Sequence, residues 1–317
     1  MRFNLMLVCV IGIFLYNCSG DFANEKNDLE QMNIYGRVKS IKEFSYEAQD
    51  KFGEISKGNR ANINYSSKLL GLCVSVEGSE MAEIRHPAWL TMPENCVRLF
   101  NDKGNLTEIS YYALNGNLTA KSIYKYDSKG NKIELISFNS EGDIKGKIKY
   151  LYDDNSHIIE EVRYDLNGII DFKFSYLYDN MGNKIEVNET SNSFFGGYYE
   201  TKCSIEYKFD RKGNIIEKIE FNSDGSFRNK CTYIYDEKGK MIQKIRKRTN
   251  ETDYDKYLFI YDDKSNIIEE GDYDISNQPR YVYKYKYEYD VKLNWIRRID
   301  YENEILLYVI EREIEYY

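Results

Sequence analysis

The 317-residue chain has three prolines, two histidines and two tryptophans, and no apolar run long enough to cross a bilayer as a helix. Each scarcity excludes something. Proline lacks the N–H that a β-ladder needs, so a chain almost without it suits continuous sheet. With only His86 and His157, histidine-based catalysis and His-rich metal sites have almost nothing to use. His157 falls in a turn and His86 beside Pro87, and both read as structural. The motifs GxSxG, HExxH, GxxxxGK and GxGxxG are absent, as is the D-x-D-x-D-G spacing of a calcium loop. Six cysteines occur without a CxxC pair. Adjacent acids such as Glu160-Glu161 and Glu269-Glu270 point to opposite faces of a strand, so they cannot flank one glycosidic bond. The expectation is a protein with no catalytic residue, no metal and no cofactor. Its formal net charge of −8 argues against nucleic acid as a partner.

What the chain has in abundance is tyrosine, 31 residues, with 15 phenylalanines. Both suit a pleated, half-buried surface. Many of the tyrosines sit in near-copies of one segment: YKYDSKGNKIE (124–134), YLYDDNSHIIE (150–160), YLYDNMGNKIE (176–186), YKFDRKGNIIE (207–217), YIYDEKGKMIQ (233–243), FIYDDKSNIIE (259–269) and YEYDVKLNWIR (287–297). The Asp markers step by 26, 26, 31, 26, 26 and 28 residues, and a degenerate copy, RLFNDKGNLTE, precedes them at 98–108. A second turn follows each marker by about half a period, as in FNSEGDI and YDLNGII. Each unit therefore reads as strand, turn, strand, turn.

The local chemistry agrees with that reading. Tyr233 and Tyr235 alternate with Thr232 and Ile234, placing both rings on one face. Asp236 can accept from the backbone two residues on, and Gly239 supplies a positive φ. Where Ser265-Asn266 replaces the glycine, Asn266 is expected to take the left-handed region. The Glu column (Glu134, Glu160, Glu186, Glu217, Glu269) is expected to pair with lysines across strands. The predicted fold is all-β: a long antiparallel meander of hairpin repeats, twisted and curled into an open sheet or half-shell.

The N-terminus is separate. Residues 1–17 read as a signal peptide, with Arg2 followed by an apolar run from Leu5 to Tyr16. Leu15-Tyr16-Asn17-Cys18 resembles a relaxed bacterial lipobox, which implies a diacylglycerol on Cys18; an ordinary signal peptide with an incidental cysteine is the alternative. Residues 18–32 read as an acidic flexible tether. The acids after Cys18 resemble a surface-export signal of some Gram-negative lipoproteins. Residues 33–97 are expected to be capping strands with an irregular insertion, and 98–317 the repeat domain. Cys203 and Cys231 fall on equivalent strands of successive units, about 9–10 Å apart with one strand between them, beyond the roughly 7 Å reach of a disulfide. Cys73 with Cys96 is the remaining candidate pair.

The Tyr-x-Tyr-Asp-x-x-Gly-Asn pattern resembles the YD-repeat, or Rhs-like, family of bacterial exported proteins over about 70% of the chain. The resemblance implies a curled β-shell. The period is longer here and the units few, so a closed shell is not expected, nor is a toxin domain after the strand-like ending YVIEREIEYY. The implied role is a non-enzymatic outer-membrane lipoprotein, periplasmic or surface-exposed. It would be held to the membrane through Cys18 and serve as a repeat scaffold or adhesin-like surface for a protein partner. The rival is a glycan-binding lipoprotein. Its candidate ligand-face aromatics are Tyr124, Tyr126, Tyr176, Tyr178, Tyr207, Tyr233, Tyr235, Tyr287 and Tyr289; the competing view is that these ladders only hold the sheet together.

Overall fold

A computed structural model describes residues 27–61, 95–180, 182–192, 198–248, 254–274 and 276–317. Cys18, Cys73, His86 and most of the 60–95 insertion lie outside them. The described residues form one short helix, α1 (Asp28–Gln31), and nineteen strands. The first ten are β1 (Val38–Lys51), β2 (Glu54–Arg60), β3 (Cys96–Phe100), β4 (Leu106–Tyr112), β5 (Leu118–Tyr126), β6 (Lys132–Asn139), β7 (Ile144–Tyr152), β8 (Ile158–Tyr164), β9 (Ile170–Tyr178) and β10 (Lys184–Asn192). Then follow β11 (Tyr198–Phe209), β12 (Ile215–Asn222), β13 (Phe227–Tyr235), β14 (Met241–Arg248), β15 (Tyr254–Tyr261), β16 (Ile267–Tyr273), β17 (Pro279–Tyr289), β18 (Trp295–Glu302) and β19 (Ile305–Tyr316).

Strands β3 to β19 are an antiparallel meander in chain order, as the repeat implies. The expected open edge does not exist. β1 pairs with β19 along one side, from Val38↔Tyr316 to Glu47↔Tyr308. Its other side carries β3 over Ser40–Glu43 and β2 over Tyr46–Lys51. The sheet therefore closes into an 18-strand barrel, with β2 as an extra strand on β1. The open half-shell is corrected for a physical reason: an open sheet leaves two rows of unpaired backbone groups, and one unmarked N-terminal strand satisfies both.

All the YD turns lie at one end of the barrel. Each combines a hairpin turn with a bulge. Asp127 N–H donates to the Asn131 carbonyl and Gly130 N–H to the Asp127 carbonyl, at 2.9 and 3.2 Å. The Asp side chain closes the turn from inside. Asp210 Oδ1 accepts from the backbone of Lys212 and Asn214, and Asn214 Nδ2 donates to Asp210 Oδ2, all at 2.8–2.9 Å. His157 stands where other units have Asn, and its Nδ1 lies 2.9 Å from Asp153 Oδ2. Gly239 has φ +81°, but Ser265 (+77°) takes the left-handed position in its turn, not Asn266 as expected. Leu293 occupies the same position at +69°.

The tether also differs from expectation. Asn27 accepts from the Glu30 N–H while Glu30 accepts from the Asn27 N–H, a reciprocal cap on α1. Leu29 and Ile34 are buried against β1, β3 and β4. The segment then reaches across the turn end: Asn33 Nδ2 donates to the Lys264 carbonyl, and Tyr35 N–H to Asn294 Oδ1. Acidity alone read as a solvated tether; the capping pair and two apolar side chains make its last residues part of the wall.

Leu293→Gly tests the turn account. Relieving a left-handed leucine is expected to raise unfolding stability by about 1 kcal/mol in urea titration, after the entropic cost of glycine. No gain would mean that the turn, not the side chain, sets that conformation.

Candidate functional site

The nine candidate tyrosines sit on one face, and that face is the inside of the barrel. Strand alternation puts Cys231, Tyr233 and Tyr235 inward, while Ile234 between the tyrosines points out and is 49% exposed. Tyr176 and Tyr233 are buried, and Tyr124, Tyr126, Tyr178, Tyr207, Tyr235, Tyr287 and Tyr289 are half-buried. Neighbouring rings pack tilted, as in Tyr287 with Tyr285, Tyr289 and Trp295 at 5.8–6.5 Å between centroids.

Their hydroxyls have a repeated task. Tyr126, Tyr152, Tyr178, Tyr235, Tyr261 and Tyr287 each donate to the carbonyl twenty residues upstream: Leu106, Lys132, Ile158, Ile215, Met241 and Ile267, at 2.6–2.9 Å. Each carbonyl belongs to the first or second residue after a YD turn. There the ladder to the next unit has already stopped, as at Glu134↔Lys149, Glu217↔Thr232 and Glu269↔Lys284. Successive units splay at the turn end, and the tyrosine hydroxyl takes the backbone acceptor that the splay leaves behind. Burial pushes the Tyr261 and Tyr287 hydroxyls up in pKa, so they stay protonated donors. Phe209 holds the corresponding place in β11 and has no hydroxyl to give.

The inner wall has two characters. From β4 to β9 it carries mostly Ile109, Leu135, Ile148, Phe174 and tyrosines. From β12 round to β3 it carries charge: Lys218–Glu220 at 2.7 Å, Arg246–Asp255 at 2.8 Å, the forked pair Arg298–Asp300 at 2.7 Å, and Arg312–Glu43–Arg98. Lys244 is wholly buried over the Tyr233 ring. Sequence reading missed this charged arc. Its signal was parity: Lys218 and Glu220 share the inward alternation of the ladder tyrosines. Burial pushes the Glu43 carboxyl up, but Arg312 and Arg98 outweigh it and hold the group at about 2. Burial raises Glu161, among Tyr150 and Tyr176, to about 7 despite nearby Lys184 and Arg163.

The outer wall carries the expected ion pairs. Glu134 bridges Lys125 and Lys147, Glu217 bridges Lys208 and Lys230, and Glu160 meets Lys173, all at 2.5–2.6 Å. Between these columns Leu151, Leu177, Ile234 and Ile260 stand 49–55% exposed. A transmembrane barrel carries an apolar outer band about 25 Å tall; on this wall exposed aliphatic side chains alternate with the Glu–Lys columns. Where β12 and β13 splay, an open recess of about 360 Å³ is lined by Asp210, Arg211, Asn214, Ile216, Tyr233 and Tyr235. Cys96 and Cys231 are buried thiols, so Cys96 is not bridged to Cys73; Cys231 is separated from β11 by β12, as expected. Among the described residues no group of three or more His, Cys, Asp or Glu is placed to hold a metal ion.

No protein family and no curated protein matches the chain. Among solved structures it is similar to a porin-like protein from Bacteroides uniformis, at 9% identity over 88% of this chain and 96% of that one, TM-score 0.37. A porin-like protein from Bacteroides vulgatus is 14% identical over 64% and 95%, TM-score 0.35. The TcdB2-TccC3-TEV structure is 12% identical over 68% of this chain, TM-score 0.32, and this chain spans 14% of its length.

Two measurements follow from the wall. Tyr235→Phe is expected to lower unfolding stability by about 1–2 kcal/mol through an orphaned carbonyl; an unchanged urea midpoint would remove the hydroxyl's structural role. Glu161 has a folded pKa raised from the ordinary carboxyl value to about 7. The folded state therefore holds its proton more tightly, and stability falls as pH rises through that window. Glu161→Gln should gain up to about 3 kcal/mol at pH 8 and almost nothing at pH 4. An equal gain at both pH values would reject the assignment.

Proposed function

We propose that this chain is a non-enzymatic lipoprotein of a Gram-negative cell envelope, anchored through Cys18, whose repeat barrel serves as a scaffold for a protein partner. The observation that carries this reading is the use of the tyrosines. Six of them spend their hydroxyls on main-chain carbonyls of the preceding unit, so the most repeated side chain holds the wall instead of presenting itself to a ligand. The aliphatic side chains left outside, Leu151, Leu177, Ile234 and Ile260, supply apolar contact area between solubilising ion pairs. The position of Asn27 sets how far such an anchor would let the barrel stand from the membrane. It caps α1 against Gly104 in the first YD turn. Eight residues separate it from Cys18. An anchored chain therefore keeps the YD-turn end within about 30 Å of the bilayer.

One observation favours the glycan reading as a second possibility. The recess between β12 and β13 brings the half-buried Tyr235 together with Asp210, Asn214 and Arg211. That combination of ring and hydrogen-bonding groups suits a sugar.

Growth with radiolabelled palmitate tests the anchor. The wild-type chain is expected to take up label and fractionate with membranes, and Cys18→Ser to lose both; an unlabelled wild type would overturn the lipoprotein. A glycan array separates the two roles. Silence across the array, with crosslinking to a defined protein on intact cells, supports the scaffold. Saturable binding abolished by Arg211→Ala would transfer the function to the recess.

A further inference from the structure

The inner wall at the closure seam holds more guanidinium than carboxylate. Arg98 on β3 and Arg312 on β19 flank Glu43 on β1, and both are directed at the same oxygen, Glu43 Oε2. Arg312 Nε donates to it at 2.6 Å, whereas Arg98 NH1 lies at 3.5 Å, the limit of a hydrogen bond. Among the described residues neither arginine makes another hydrogen bond or ion pair, so each uses one of its N–H donors. The third nearby arginine, Arg298, is already satisfied by a fork on Asp300, at 2.7 and 2.8 Å. One carboxylate thus faces two guanidiniums whose remaining donors are unspent.

These side chains are held in place. The Arg312 guanidinium stacks 3.3 Å above the Trp295 ring. Arg98 lies in register between Ile41 and Ile109, both buried. Only 18% of the Arg98 side chain and 11% of Arg312 remain exposed, which leaves access for a small group yet limits screening by water. A planar, charged fork in such a setting recognises an oxyanion with two parallel hydrogen bonds. Burial holds the Arg312 pKa below its ordinary value, with a smaller part from repulsion by Arg98 and Arg298, and a second anion would relieve that repulsion.

We propose that Arg98 and Arg312 form an oxyanion-binding site on the inner wall of the barrel, where the carboxylate or phosphate group of a ligand completes the set that Glu43 leaves half filled. The site lies inside, away from the recess and the outer aliphatic side chains, and does not depend on the anchor.

Isothermal titration of the full-length protein with inorganic phosphate, and separately with octanoate, at constant ionic strength tests it. Saturable binding of either probe is expected, and the probe that binds tells which oxyanion the site takes. Arg98→Gln should weaken it at least tenfold, while Arg246→Gln, an inner-wall arginine paired with Asp255 elsewhere, should leave it unchanged. Glu43→Gln removes the competing carboxylate and should tighten binding severalfold, an effect that a purely structural ion pair would not produce. If Glu43→Gln does not fold, Arg98→Gln alone decides. No saturable binding of either probe, or equal binding by wild type and Arg98→Gln, overturns the site.

Discussion

The barrel depends on one strand having two partners. A meander of any length ends in two edges, and twist brings those edges near each other without joining them. β1 joins them because β19 lies along one side of it and β3 along the other. The ion cluster sits at this seam: Glu43 on the bridging strand, Arg312 and Arg98 on the strands to either side. Its carboxylate is ionised across the ordinary pH range, since its pKa is held at about 2. The stability it contributes is present above the usual carboxyl pKa and is lost only as pH falls towards 2. Buried ion pairs are weak sources of net stability, and the best-attested use of buried polar groups is to fix register. At a seam where residues 269 positions apart, Glu43 and Arg312, must align, register is the quantity that needs fixing.

Away from the seam, the same problem recurs at every joint between units, and the repeat carries its own solution. The bulge in each YD hairpin lets the strands turn sharply, and the ladder to the next unit ends early. In five units the second tyrosine of the motif closes the gap from the inside, and in the last unit the first, Tyr287, does so. Lysines stitch it from the turn side, where Lys129 donates to the Asp154 carbonyl and Lys212 to the Glu237 carbonyl of the next turn. Asp, Gly, Asn and Tyr are thus parts of one device: Asp and Asn set the turn, Gly permits it, and Tyr pays for the splay it causes.

That device was legible in the sequence because it is local. Period-2 alternation placed the tyrosines on one face, the Asp-Gly spacing gave the turns, and the Glu–Lys column followed from strand register. Closure was not legible. The segment IKEFSYE carries no YD marker, and nothing near it encodes a partner at Ile310 or Arg312. Which face was inside was equally hidden, so the charged arc at Lys218, Lys244 and Arg246 looked no different from a solvated edge. α1 was partly legible: Asn27 and Glu30 have the spacing of a reciprocal cap, although the surrounding acids suggested only a tether.

The distribution of charge between the two walls bears most directly on function. A barrel that spans a membrane places its apolar residues outside and water inside. Here the Glu–Lys columns face out, and the inner wall is tiled with tyrosine, isoleucine and paired charges. This arrangement leaves ion pairs and exposed aliphatic side chains next to each other on the outer wall. It also leaves the inner wall chemically uneven. The apolar arc offers no reason for selectivity, whereas the charged arc gives Lys218, Arg246 and Arg298 each its own acid, and at the seam two arginines share Glu43. The element that closes the barrel is therefore also the place where its interior retains unspent charge.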